Sequence, residues 1–198
     1  MRLKIILSDL DNQAIMRWVN GELQGYKEVE YIPEYRIFKG SPTGTFLVNY
    51  KFKYTNAAVP IHSLLNLDEI NKLITLNITD SIAVIQTILN GENRNNYGRV
   101  IFTSYCHAIP VETLQIASMR IMLSTNHLDG IVSFVKSKLV EVIMELERQF
   151  TNLDDLDIKT QIEKDKQKKE QVIYNIGEII YKGSIEIGVK TKLVIKTK

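Results

Sequence analysis

The chain has 198 residues, a formal net charge of +2, and hydrophobic and charged contents of 44% and 24%. These values are typical of a globular chain of one domain with a sizeable core. No apolar run approaches 18 residues, which excludes a transmembrane helix and predicts no membrane partner. Cys106 is the single cysteine, which excludes an intramolecular disulfide framework and predicts a cytoplasmic location.

The basic residues are concentrated at the C-terminus. Residues 159–198 hold ten lysines and five acidic residues, whereas the rest of the chain is slightly acidic. The predicted basic face of this segment consists of Lys182, Lys190, Lys192 and Lys196. One interpretation is a solvated edge that opposes aggregation, and the alternative is contact with nucleic acid or anionic lipid.

The N-terminal segment 3–24 has apolar residues at helical spacing, with Gly25 as its terminator. Asp9 and Asp11 predict a break into two short helices. The next segments, 35–40 and 45–54, predict two strands joined by the turn GSPTG, because glycines flank Ser-Pro-Thr and aromatic residues alternate along the second segment.

The middle of the chain alternates short helices and strands. A helix capped by Asn66 or Asp68 precedes the strand ITLNI, and a second helix extends from a Thr79 cap to Gly91. The segments RVIFTSY and IASMRIMLS predict two further strands. Residues 125–150 predict the strongest helix, with one wide apolar stripe facing the core. The stripe contains Leu128, Ile131, Val132, Val135, Leu139, Val142, Ile143, Leu146 and Phe150.

These elements predict an α+β fold with helices packed on a small, mostly antiparallel sheet, followed by a C-terminal β hairpin or tail. Residues 1–150 form the predicted domain, 151–172 a polar charged linker or exposed helix, and 173–198 an amphipathic β tail. Period-2 alternation gives the tail a predicted assembly face. This face contains Ile185, Ile187, Val189, Leu193 and Ile195. Because exposing such a face is costly, we expect it to bind its own domain, another copy or another protein.

The sequence contains only weak candidates for catalytic or metal-binding residues. Cys106 and His107 are adjacent, so they would lie on opposite faces of a strand, and the three histidines lack metal-ligand spacing. Asp154, Asp155 and Asp157 lie in the predicted linker. Glu141, Glu145 and Glu147 are predicted on the solvent side of the long helix. We therefore predict no catalytic residue, no metal and no cofactor.

One cluster of unusual residues remains near the N-terminus. Trp18, Glu22 and Tyr26 share one side of a helix end by their spacing, and Gly25 permits a sharp turn. The cluster continues with Pro33, Tyr35 and Arg36. The first interpretation is a structural corner in which Trp18 packs under the sheet and Glu22 pairs with Arg36. The alternative is a recognition pocket lined by Trp18, Tyr26 and Tyr35.

These motifs, in this order, resemble the AbiTii family, the second component of the AbiT abortive-infection system. The resemblance covers residues 3–150 and rests on RWVNGELQGY, IPEYR, a Gly-x-x-x-Gly step, ITLNITDSIAVIQTIL and HLDGIVSFVKSKLVEVIMELE. It implies phage defence by abortive infection and maps no catalytic residue set. The closing helix has Val135, Lys136 and Lys138 where relatives often carry a Val-Arg pair, so no role of that arginine is carried over.

We therefore expect a phage-defence component that acts without catalysis, by binding or self-assembly. The expected partners are further copies of the chain, bound through the tail, and a second defence component or a phage protein. One alternative is a nuclease-like toxin whose site forms only in three dimensions. The other is a nucleic-acid-binding module that uses the lysine-rich tail.

Overall fold

A computed structural model of the protein describes residues 2–92, 94–109, 113–151 and 158–182. The chain divides into two compact units. The helical unit comprises Met1–Tyr26 and Ser133–Lys198, and the sheet unit comprises Lys27–Val132. The two small antiparallel sheets and the helices confirm the predicted α+β class.

The described elements are named in chain order. The helices are α1 (Arg2–Asp9), α2 (Gln13–Gln24), α3 (Leu67–Ile74), α4 (Ile82–Asn90), α5 (Thr103–Ala108), α6 (Thr125–Gln149), α7 (Lys159–Lys164) and α8 (Lys166–Lys182). The strands are β1 (Ile37–Lys39), β2 (Ser41–Val48), β3 (Phe52–Ala58), β4 (Thr75–Asn77), β5 (Gly98–Ile101) and β6 (Leu114–Met122).

The helical unit contains α1, α2, most of α6, α7 and α8. The predicted break after α1 is confirmed: Asp11 has φ of 51°, and the side chain of Asn12 accepts a hydrogen bond from the backbone of Ile15 at 3.0 Å. Helix α8 contacts α2, and the Tyr181 hydroxyl donates to the carbonyl of Ala14 at 2.9 Å. The terminal helix α8 is therefore an integral part of this unit.

The C-terminal segment differs from the prediction over the part that is described. Residues 173–182 complete α8, so a β tail beginning at residue 173 is wrong for this stretch. Val172, Ile176 and Ile180 recur at helical spacing and are buried, which explains why a helix forms here. Residues 183–198, which include the predicted assembly face and most of the predicted basic face, lie outside the described residues.

Helix α6 extends from Thr125 to Gln149, as predicted, but its buried stripe is narrower than expected. Ile143 is exposed, although we predicted it in the core. Conversely, Glu145 is buried, although we predicted it on the solvent side. Its neighbour Glu147 is exposed.

The sheet unit is built on a four-stranded antiparallel sheet with the order β3-β2-β6-β5. A second, two-stranded sheet pairs β1 with β4. Helix α5 packs on β6. The pairing of β2 with both of its neighbours is interrupted by a β-bulge at Thr45. In the pairing with β6, Ala117 is the extra residue, and in the pairing with β3, the extra residue lies in β3. The first bulge lets both Ile116 and Met119 face the core.

The turn predicted at GSPTG is wrong, because Ser41 to Gly44 lie inside β2. The two glycines permit close approach to β6. A Cβ on Gly44 would lie 2.0 Å from the Ser118 carbonyl oxygen, and one on Gly40 would lie 2.8 Å from that of Met122. The chain reverses at residues 49–51, where Asn49 and Tyr50 both have positive φ. The single strand predicted over 45–54 is therefore two strands, β2 and β3.

The remaining short elements follow the prediction with two corrections. The capping box of α3 joins Asn66 and Glu69, and β4 follows directly as expected. Helix α4 is capped by Ser81 rather than by Thr79. The strand predicted over RVIFTSY ends at Ile101, and Cys106 and His107 lie on helix α5 rather than on a strand.

Candidate functional site

The end of α2 holds a buried polar contact. The Tyr26 hydroxyl donates a hydrogen bond of 2.7 Å to Oε1 of Glu22, and both side chains are buried. Trp18, one turn before Glu22, is 2% exposed. Gly25 has φ of 90°, a conformation that favours glycine, and lets the chain fold back so that Tyr26 reaches Glu22. The end of α2 is thus fixed by a hydrogen bond that is buried away from water.

Glycine is required at position 21 because the ring of Tyr26 packs against α2 at this residue. An added Cβ would lie 2.3 Å from Cε1 of Tyr26, so Gly21→Ala must displace the ring and its bond to Glu22. We expect a loss of about 1–3 kcal/mol in the free energy of unfolding, measured by urea denaturation. Gly130→Ala on α6 is the control, because its Cβ would meet nothing within 4 Å. That control should stabilise by about 0.5–1 kcal/mol. Equal effects of the two substitutions would contradict this assignment.

Arg36, in the sheet unit, is fully buried. Its Nη1 donates to the carbonyl oxygen of Ile78 at 3.1 Å and to that of Asp80 at 2.7 Å. The backbone carbonyl of Arg36 also accepts from the amide of Ile78 at 2.8 Å. Because β1 pairs with β4 immediately beside these contacts, Arg36 fixes the start of β1 to the end of β4.

Asp80 extends this cluster to the segment before β5. The Tyr97 hydroxyl donates to Oδ2 of Asp80 at 2.5 Å. Burial, and then the bond to Asp80, raise the pKa of the Tyr97 phenol above its ordinary range, while the charge of Arg36 lowers it. The phenol therefore stays protonated and acts as a hydrogen-bond donor throughout the neutral range.

The remaining residues of the predicted corner are divided between the two units. Trp18, Glu22, Gly25 and Tyr26 belong to the helical unit, and Pro33, Tyr35 and Arg36 belong to the sheet unit. The carbonyl of Pro33 accepts from the amide of Arg36 at 2.9 Å, and Tyr35 is half-buried. The pairing of Glu22 with Arg36, and a pocket lined by Trp18, Tyr26 and Tyr35, stay predictions.

Sequence reasoning missed a buried cluster around Glu145 of α6. Its carboxylate accepts from Nδ2 of Asn175 on α8 at 2.6 Å and from Nε2 of Gln149 at 3.2 Å, and it pairs with Arg148. Glu145 and Asn175 are 30 residues apart, so no local spacing connects them. The apolar neighbours of Glu145 on one face of α6 were the available signal that this carboxylate is buried.

A cleft of about 440 Å³ in the sheet unit is lined by Cys106, His107, Leu114 and Ile116, among others. Cys106 is buried, and its burial raises the pKa of the thiol above the ordinary value. A raised pKa lowers the thiolate fraction, which makes Cys106 a poor nucleophile at neutral pH. His107 is exposed, as are His62 and His127. The ring of His127 packs against Phe38 with centroids 4.8 Å apart.

The described part of the chain shows neither a metal-ligand cluster nor a membrane-spanning helix. In residues 2–92, 94–109, 113–151 and 158–182, no three His, Cys, Asp or Glu side chains are grouped so as to hold a metal ion. Within the same part of the chain, no helix combines the length and the apolar content needed to cross a membrane.

The fold and the buried clusters define an α+β protein, and the buried charged side chains of its described residues, Glu22, Arg36 and Glu145, are hydrogen-bonded to other protein groups. The family model of AbiTii matches residues 1–172, which is most of the chain. The chain therefore belongs to the AbiTii family, and this membership associates it with phage defence by abortive infection. No curated protein and no solved structure matches it.

Proposed function

We propose that this AbiTii-family chain is an abortive-infection component that acts without catalysis, by binding and self-association. The observation that carries the proposal is an exposed apolar stripe on α6, formed by Val140, Ile143 and Met144, which we call the α6 stripe. These side chains are 56%, 40% and 62% exposed, and they follow each other at i, i+3 and i+4. Clustered exposed apolar residues are typical of interaction surfaces.

The hydrogen bonds of the buried charged residues support a structural role for these residues. Glu22 accepts from Tyr26, Arg36 donates to two backbone carbonyls, and Glu145 accepts from Asn175. A reacting group must be able to reach a substrate, whereas these three side chains have at most 6% of their surface exposed. The buried charged side chains therefore support a role in stabilising the fold rather than a role in catalysis.

The C-terminal segment supplies a second surface for association. Ile185, Ile187, Val189, Leu193 and Ile195 lie at every second position of an eleven-residue segment, except that Thr191 takes the place between Val189 and Leu193. Burying five such side chains contributes about 1.5–3 kcal/mol each, which is enough to favour a partner surface. We propose that this face and the α6 stripe bind further copies of the chain, and that the assembled form engages a second defence component or a phage protein.

The experiment is the solution mass, measured by light scattering over a range of concentrations. The shortened chain should end after Lys182, because α8 places Val172, Ile176 and Ile180 in the core. We expect the full chain to form a discrete oligomer and the shortened chain to have a smaller mass. A full chain carrying Val140→Ser and Met144→Ser should also have a smaller mass.

Val84→Ser is the matched control, since Val84 is a valine on α4 in the sheet unit that is 44% exposed. This variant should keep the mass of the full chain. In cells, variants that lose the oligomer should also lose protection in a phage plaque assay. A full chain that is monomeric at every concentration, or that protects cells equally well as a monomer, would contradict the proposal.

A further inference from the structure

The tip of the β2–β3 hairpin carries three exposed aromatic residues separated by two lysines. The sequence is Tyr50-Lys51-Phe52-Lys53-Tyr54, which we call the aromatic hairpin. Tyr50, Phe52 and Tyr54 are 70%, 53% and 47% exposed, and both lysines are exposed as well. Exposed aromatic rings at this density need an explanation, because protein surfaces rarely gather large apolar side chains.

The register of the sheet explains why these rings are exposed. Tyr54 is paired with Phe46 and Phe52 with Val48, so both rings lie on the face of the sheet that buries Phe46. Strand β3 is an edge strand of the described sheet. The apolar face that buries Phe46 therefore extends beyond the core at β3, where its aromatic rings are exposed to solvent. Lys53 is paired with Leu47, one position out of phase, and therefore lies on the opposite face.

Two contacts hold the rings in place. Tyr54 stacks on the buried ring of Phe46, with centroids 5.1 Å apart and planes inclined by 14°. The Nζ atom of Lys51 lies 5.6 Å from the centroid of the Phe52 ring, so this lysine sits on the aromatic side of the hairpin. The surface thus presents preorganised rings with a cation beside them.

The charge of the hairpin is entirely positive. Residues 46–59 contain two lysines and no acidic residue. Aromatic faces with an adjacent cation complement an unpaired nucleic acid strand, whose bases stack on rings and whose phosphates attract lysine. Phe52 and Tyr54 are two residues apart, which separates them by about 6.6–6.8 Å along the strand. This spacing gives each ring its own base.

We propose that the aromatic hairpin binds single-stranded nucleic acid, with Phe52 and Tyr54 stacking on successive bases and Lys51 contacting a phosphate. The residues of this site are distinct in the sequence from the lysine-rich C-terminal segment, and the proposal does not depend on self-association. A second copy of the chain pairing with the open edge of β3 is the competing occupant. The lysines and the bulge of β3 are features that oppose such edge pairing.

The test is fluorescence anisotropy with labelled single-stranded DNA and RNA of about 12 nucleotides, a length within the range that single-strand-binding surfaces cover. The background is the full chain with Lys190, Lys192 and Lys196 changed to Gln, which removes three of the four lysines of the predicted basic face. Phe52→Ala should weaken binding about 5- to 150-fold, and Phe52→Trp should retain it. Phe102→Ala is the matched control, because Phe102 is 82% exposed and has no lysine beside it in the sequence.

The salt dependence of oligonucleotide binding distinguishes the roles of Lys51 and Lys53. For one phosphate contact to a single strand, Lys51→Gln should reduce the slope of log K against log salt by about 0.7. Lys53→Gln, on the opposite face, should leave the slope unchanged. Circular dichroism and the melting temperature check that each variant is folded, which is expected because Lys51, Phe52, Lys53 and Phe102 are all exposed.

Three results would overturn the proposal: no binding of either oligonucleotide, binding that Phe52→Ala leaves unchanged, or equal slopes for the two lysine variants. A change of solution mass in Phe52→Ala without a change in oligonucleotide binding would assign the hairpin to contact between copies instead. The proposed self-association is tested independently, since none of its variants changes residues 50–54 of the aromatic hairpin.

Discussion

Replacing Arg36 with methionine is expected to lower the free energy of unfolding by about 3–5 kcal/mol. The guanidinium is fully buried and donates to the carbonyl oxygens of Ile78 and Asp80. Methionine fills much of the same volume but cannot donate, so both carbonyls lose a charge-assisted hydrogen bond. Because these bonds join β1 to the end of β4, the loss should fall on the sheet unit.

Urea denaturation of matched variants provides the measurement. Arg94→Met changes an exposed arginine in the turn before β5 and should shift the free energy by no more than about 0.5 kcal/mol. Arg36→Lys should fall between Arg36→Met and the unchanged protein, since one ammonium replaces the fork of the guanidinium. If Arg36→Met and Arg94→Met were equally stable, the buried arginine would have no structural role.

Features set by neighbours in the sequence were predicted well. The break between α1 and α2, the Asn66 cap of α3 and the bounds of α6 depend on interactions within about four residues, which the chain displays directly. The fold class follows from the same local patterns. The described elements confirm it.

Features set by distant partners could not be predicted. Gly40 and Gly44 have the sequence signature of a turn, but their reason is the close approach of β6, about 80 residues later. Asp80 and Tyr97 likewise give no local sign that they join Arg36. Spacing within one segment predicts which face a residue occupies, whereas it does not identify the opposite partner.

In the C-terminal segment, features that favour a β-strand and a spacing that favours an α-helix occur in the same residues. Residues 173–182 contain enough β-branched residues to favour a strand, yet Val172, Ile176 and Ile180 also recur every four residues. The helical pattern prevails because it buries these three side chains in the helical unit. The choice is thus made by tertiary packing, which outweighs the local preference for a strand.

The second large effect is expected at Glu145, which connects α6 to α8. Glu145→Ala removes the buried acceptor of the 2.6 Å bond from Asn175 and leaves that half-buried amide without its carboxylate partner. We expect a loss of about 2–4 kcal/mol in the free energy of unfolding. Glu147→Ala is the matched control, because Glu147 lies two residues further along the same helix and is exposed. Its effect should stay within about 0.5 kcal/mol.

A double-mutant cycle between Glu145→Ala and Asn175→Ala isolates the contact from other effects of the substitutions. Because Asn175 donates to a buried carboxylate, the coupling energy should be about 1.5–3 kcal/mol. Independent effects of the two substitutions would mean that Glu145 stabilises α6 through Arg148 and Gln149 alone. A positive coupling would instead show that α8 is fixed to α6 by this bond, and that the family-matched region needs residues beyond α6 to be stable.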